Sequence, residues 1–205
     1  MNRADFFARW SSLHGGAPIT GVVKGWLSLS FRFAQFFTRI RLTPNALTFG
    51  GIVFAAAAWP LATTWWALPL VMFALFADGL DGSLAIYGGV DSIRGALIDS
   101  FADRISEAFF FLVFYRIAPT VASALFLAWI LSFTQEYIRA RAGGLGNKST
   151  GVVTLSERPV RVIFLLVALT SFHINRTFPE VSAYIWLAVQ VIAISQLVRY
   201  QRQSI

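Results

Sequence analysis

Four of the ten acidic residues in this 205-residue chain lie on two strongly apolar stretches: Asp78 and Asp81 on the first, Asp99 and Asp103 on the second. An aspartate at mid-membrane costs about 2.5–3.5 kcal/mol, so four together require compensation. Asp78 and Asp81 are spaced i, i+3 and Asp99 and Asp103 i, i+4, which puts each pair on one helical face. If the two stretches are helices that fold back near residue 90, position 78 comes opposite 102 and position 81 opposite 98. All four carboxylates then converge, and like charges at that density call for cations. The two histidines, His14 and His173, lie elsewhere, and there is no cysteine. An all-oxygen donor set suits Mg²⁺ or Mn²⁺ rather than Zn²⁺.

The elements that must position these residues belong to a membrane protein. Hydrophobic residues make up 57% of the chain and aromatic residues 16%, while 13% are charged, against about 25% in soluble domains. Runs long enough to cross about 30 Å of hydrocarbon are expected over 44–62, 65–87, 92–116, 119–143, 159–175 and 179–199. Thr43 and Pro44 read as a helix start, as do Asp91 or Ser92 and Ser156 before Pro159, while Pro119 and Pro179 open the fourth and sixth spans. Residues 19–39 mix Trp26, Phe31, Phe33, Phe36 and Phe37 with Lys24, Arg32 and Arg39, the pattern of a helix lying in the interface. The expected fold is therefore all-α: one integral membrane domain over 1–205, with a six-helix transmembrane bundle over 44–199 and an N-terminal interfacial amphipathic helix over 19–39.

Charge placement sets the orientation. The net charge of +7 is split by long apolar runs, which argues against a nucleic-acid surface. Arg3, Arg9, Lys24, Arg32, Arg39, Arg41, Arg94, Arg139, Arg141, Lys148, Arg158, Arg161, Arg199 and Arg202 fall on one side of a six-span topology, and Arg116 and Arg176 on the other. Both termini are expected in the cytoplasm, of a bacterial plasma membrane, and the carboxylates nearer that side. Trp59, Trp65, Trp66 and Trp186 near the outer ends read as an interfacial belt.

The spacing Asp78-x-x-Asp81-Gly82-x-x-Ala85, then nine residues to Gly95-x-x-x-Asp99-x-x-x-Asp103, resembles the signature of the CDP-alcohol phosphotransferases. These are membrane enzymes of phospholipid synthesis with six spans. Seven of the eight fixed positions match; the exception is Ile86, where the family places an arginine that contacts the nucleotide diphosphate. The resemblance implies transfer of a phosphatidyl group from CDP-diacylglycerol to an alcohol, with release of CMP. It implies two Mg²⁺ or Mn²⁺ ions held by Asp78, Asp81, Asp99 and Asp103, with Asp103 as general base. The nucleotide and its diphosphate would lie against Asp81, Gly82, Ala85 and Gly95, with Arg94 or Arg104 replacing the missing cation. A homodimer is typical of the family.

The acceptor is read from the basic residues after the fourth span. Gln135-Glu136-Tyr137-Ile138-Arg139-Ala140-Arg141-Ala142 and Ser156-Glu157-Arg158-Pro159-Val160-Arg161 are similar to segments of the actinobacterial phosphatidylinositol-phosphate synthases of that family. Arg139, Arg158, Arg161 and Arg199 are then expected to bind inositol phosphate, arginine offering a bidentate fork for phosphate. Glu136 departs from that pattern and would repel a phosphorylated acceptor unless an arginine neutralises it. Glycerol phosphate or phosphatidylglycerol, as in a phosphatidylglycerophosphate or cardiolipin synthase, are the alternative acceptors. A catalytically inactive homologue, invited by Ile86, and a cation-handling membrane protein are the readings outside enzyme chemistry.

Overall fold

A computed structural model describes residues 1–146 and 153–203. Lys148, one of the charges expected on the cytoplasmic side, lies outside the described residues. Eight α-helices and one 3₁₀ turn are described: α1 Arg3–Leu13, α2 Gly21–Arg39, α3 Pro44–Ala58, α4 Ala67–Gly88, α5 Ile93–Ile117, the 3₁₀ turn Pro119–Val121, α6 Ala122–Gly144, α7 Arg158–Phe172 and α8 Phe178–Gln203. Helices occur at all six expected spans. Three of them are long and apolar enough to cross a membrane: α4, α6 with its 3₁₀ turn, and α8; the count is four if α2 and α3, bent by 108°, are one span. The other three differ for physical reasons. α3 and α7 have 15 residues each, about 22 Å of helix against about 30 Å of hydrocarbon, and α5 carries the charges of the site.

The residues form two compact units. The first comprises Met1–Ala55 and Met72–Ser106, the second Ala56–Val71 and Glu107–Ile205.

In the first unit, α2 buries Leu27, Ser30, Phe31 and Ala34, one stripe at helical spacing, and its period is thereby settled as α. Trp26 and Phe33 set their edges against Phe76 of α4, with ring centroids 6.3 and 4.9 Å apart. Gly79 permits this approach, since a Cβ there would lie 2.7 Å from the Trp26 ring. The sequence reading did not anticipate α1. Asn2 caps it by accepting from the Asp5 N–H at 2.9 Å, and Phe6 is fully buried with Leu27, Phe31 and Ile86, flanked by Trp10, Ile19 and Tyr87. Arg9 pairs with Asp91 at 2.6 Å, which ties α1 to the turn after α4.

In the second unit, α8 packs along both α6 and α7. Trp186 is 5% exposed and stacks on Phe114, so it belongs to the core and not to the outer belt, unlike the exposed Trp59, Trp65 and Trp66. Ser156 does not cap α7 either: the N-cap is Glu157, and the Ser156 hydroxyl donates to Gln190 at 2.6 Å. Gln190 donates in turn to Gln135 at 2.8 Å, and Gln135 to Thr154 at 3.0 Å. Two glutamines with no exposed surface are thus joined by one bond and satisfied by Ser156 and Thr154 inside an apolar packing.

Candidate active site

The hairpin that carries the aspartates is built by local chemistry at its turn. α4 is followed by Gly89 at φ +66°. The Val90 N–H donates to the Ala85 carbonyl at 3.0 Å and the Gly89 N–H to the Ile86 carbonyl at 3.2 Å. This is a Schellman closure, which needs a residue free to adopt the left-handed region. Three residues later Ser92 caps α5 by accepting from the Gly95 N–H at 3.1 Å, as expected of one of its two candidate caps. The helices therefore reverse within residues 89–92.

Across that hairpin, one carboxylate oxygen from each of Asp78, Asp99 and Asp103 lies within 4.8 Å of the others, and all three residues are half-buried. Three hard oxygen donors at that separation fit a divalent cation of the Mg²⁺ or Mn²⁺ type, with coordination completed by water or substrate oxygens.

Asp81, expected to be a fourth member, is held differently. It is 3% exposed; its Oδ2 accepts from the Thr48 hydroxyl of α3 at 2.5 Å and its Oδ1 from the Gly82 N–H at 2.6 Å. Thr48 was not singled out in the sequence, although its place one turn into a helix that opens Thr43-Pro44 was visible. Gly82 has open space where a Cβ would be. Gly95 is explained by the cap, since a Cβ would lie 3.2 Å from the Ser92 hydroxyl. Arg94 is exposed and Arg104 half-buried on α5, and Ala85 is half-buried on α4. Ile86 is 4% exposed inside the apolar cluster with Phe6, Leu27 and Phe31. An arginine at this position would need to place its guanidinium among those rings or thread past them. Phe6 of α1 covers the position.

The four arginines expected at the acceptor lie in the second unit and fall into two classes. Arg161 is 6% exposed. Its Nε and Nη2 donate to Glu107 Oε1 at 3.0 and 2.5 Å, its Nη1 to the Ser156 carbonyl at 2.8 Å, and its Nη2 to Glu136 at 3.3 Å. A guanidinium so enclosed is part of the protein interior, with its donors on Glu107, Ser156 and Glu136. Arg139 grips Glu157 with two parallel bonds, Nη1 to Oε2 at 2.8 Å and Nη2 to Oε1 at 2.5 Å, and lies 3.7 Å from Glu136. Arg158, the first residue of α7, is half-buried, and Arg199 on α8 is exposed. Glu136 is flanked by Arg139 and Arg161, the neutralisation that its sequence position required. Burial alone would raise the Glu157 carboxyl, but the hydrogen bonds from Arg139 and from the Thr154 N–H and hydroxyl outweigh it and hold the group below the ordinary glutamate range.

Comparison with known proteins places these observations in a lineage. A family model described as CDP-alcohol phosphatidyltransferase matches residues 41–197, leaving α1 and α2 outside it. The phosphatidylinositol phosphate synthase of Mycolicibacterium smegmatis is 29% identical over 152 residues, covering 69% of this chain and 68% of that one. The crystal structure of Mycobacterium tuberculosis phosphatidylinositol phosphate synthase with CDP-DAG bound has a TM-score of 0.70 at 24% identity, over 84% of this chain and 92% of that one, and shows a shared fold. The same enzyme in complex with manganese and citrate has a TM-score of 0.70 at 25% identity, over 83% of this chain and 87% of that one.

Proposed function

The chain belongs to the CDP-alcohol phosphatidyltransferase family, and from that membership we propose that it transfers a phosphatidyl group from CDP-diacylglycerol to inositol phosphate, with release of CMP. The observation that carries the reading is the gathering of Asp78, Asp99 and Asp103 from two helices of the motif into one oxygen-lined site. The similarity to a phosphatidylinositol phosphate synthase over two thirds of both chains supports the choice of acceptor.

Bound Mg²⁺ or Mn²⁺ would supply charge neutralisation for the diphosphate and the departing CMP. Asp78, Asp99 and Asp103 would hold it, and Asp81 would stand beside them, fixed by Thr48. The rest of the chemistry belongs to the chain's own groups. Asp103 takes the proton from the acceptor hydroxyl. The hydroxyl oxygen forms a bond to the phosphorus of the phosphatidyl group as the bond from that phosphorus to the CMP oxygen breaks, and CMP leaves with the electron pair. The open backbone at Gly82 leaves room for the nucleotide, with Ala85 and Gly95 on the same hairpin. Arg94 and Arg104 are the nearest cations on α5 for the diphosphate. Arg158 and Arg199 bind the phosphate of the acceptor.

α3 to α8 each cross a bacterial plasma membrane, with α2 in the interface and both termini in the cytoplasm. The bias of Lys and Arg to the inner loops supports this orientation.

The test is CMP release by purified protein from CDP-diacylglycerol with Mg²⁺ or Mn²⁺, against inositol phosphate, inositol, glycerol phosphate, phosphatidylglycerol and serine. Release stimulated by inositol phosphate alone is the expected result. Stimulation by a different acceptor would refute the acceptor assignment and keep the reaction class.

A further inference from the structure

Arg139 carries the charge and the side chain expected of a phosphate ligand, yet its guanidinium is already matched. Both terminal nitrogens lie on the two oxygens of Glu157, a fork-to-fork pair, which is the strongest geometry that an arginine and a carboxylate form. Glu157 Oε1 also accepts from the Thr154 N–H at 2.6 Å and from the Thr154 hydroxyl at 2.8 Å. The segment 154–157 is fastened by further bonds from α6, α7 and α8. The Leu155 N–H donates to Gln196 at 3.2 Å, the Ser156 hydroxyl to Gln190, and Arg161 to the Ser156 carbonyl. Arg158 follows directly, as the first residue of α7.

Charge points the same way. Glu107, Glu136 and Glu157 face Arg139 and Arg161 in one chain of contacts. Three carboxylates thus line the two guanidiniums. For Arg139 to bind an acceptor phosphate, it would have to abandon Glu157 and release the turn that Glu157 closes.

We infer that Arg139 is a positioning residue, which acts through Glu157 to fix the 154–157 turn and with it Arg158 at the start of α7, and that it is not itself a ligand of the acceptor phosphate. The inference rests on the proposed use of a phosphorylated acceptor for the role it gives Arg158.

Two measurements test it. The first is the acceptor KM, at saturating CDP-diacylglycerol, of wild type, Arg139→Gln, Glu157→Gln and the double variant. Each single change is expected to raise the acceptor KM by about tenfold, the scale of one charge-assisted hydrogen bond, with kcat and the donor KM within about twofold, and the double variant is expected to be no worse than the poorer single. Arg139→Lys keeps the charge but not the fork, and is expected to fall between. If Glu157→Gln lowers KM while Arg139→Gln raises it, or if the two effects multiply in the double variant, Arg139 is a ligand and the inference fails. The second is amide hydrogen exchange over residues 153–160, which needs no acceptor. Faster exchange in both single variants is expected, and unchanged protection would overturn the inference. Loss of inositol phosphate dependence in the wild type with exchange as expected would refute the acceptor reading alone.

Discussion

At the residue scale, the division of labour among four aspartates is the main result. Asp78, Asp99 and Asp103 share one oxygen-lined site, while Asp81 has its oxygens on Thr48 and the Gly82 N–H. Asp103→Asn is expected to abolish phosphatidyl transfer while CMP binding stays within about threefold of wild type, because the amide cannot take the acceptor proton; equilibrium binding of CMP beside the transfer assay checks both halves. Thr48→Val removes the donor to Asp81 but keeps the shape of the side chain. The Asp81 Oδ2 left without its donor is expected to cost about 1–3 kcal/mol, read as a lower melting temperature and a weaker CMP affinity. An unchanged CMP affinity would show that Thr48 does not position Asp81 for the donor. The aspartates were legible from spacing because each pair falls on one helical face. Thr48 was not, since a threonine in an apolar helix carries no signal until its partner is known.

At the element scale, the two hairpin helices, the Ser92 cap and the α2 stripe follow from periodicity and turn chemistry, whereas α1 does not. α1 has ordinary composition, and its attachments are tertiary: Phe6 against Leu27, Phe31 and Ile86, and Arg9 against Asp91. Ile86 is part of that packing, so a charged side chain there would enter an apolar cluster. Ile86→Arg is accordingly expected to destabilise the protein by about 3–5 kcal/mol through an uncompensated buried charge and not to tighten the donor; Ile86→Leu is expected to be nearly neutral. Thermal melting and donor KM on both variants check this, and a gain in donor affinity in Ile86→Arg would contradict it. The polar core joining α5, α6, α7 and α8 was hidden for a similar reason, because Glu107, Gln135, Arg161 and Gln190 sit far apart in sequence and only the packing joins them. The Glu157–Arg139 pair carries a pH signature. With the Glu157 carboxyl below its ordinary range, the pair's stabilisation is fully present above the ordinary glutamate pKa and is lost only as pH falls through the lower folded value. Acceptor KM is therefore expected to stay flat from neutrality down to about pH 5 as far as this pair is concerned, and a rise centred near neutral pH would assign the limb to another group.

At the scale of the whole molecule, the membrane reading rests on composition, on three helices long and apolar enough to cross, and on a family match over residues 41–197. The absence of cysteine makes topology directly measurable. Val90→Cys, at the hairpin turn, is expected to react with an impermeant thiol reagent only from the cytoplasmic side, and Ile174→Cys, beyond α7, only from outside; the reverse pattern would invert the orientation. The two side chains are well exposed, at 60% and 75%, so failure to react would reflect the barrier and not burial. The most direct test of the central claim, that the aspartate hairpin is a metal-dependent phosphatidyl-transfer site, is incorporation of labelled inositol phosphate into lipid by purified protein with CDP-diacylglycerol. Incorporation with Mg²⁺ or Mn²⁺ that stops with a chelator and in Asp99→Asn is the result predicted. Incorporation that persists undiminished under chelation and in that variant would contradict it.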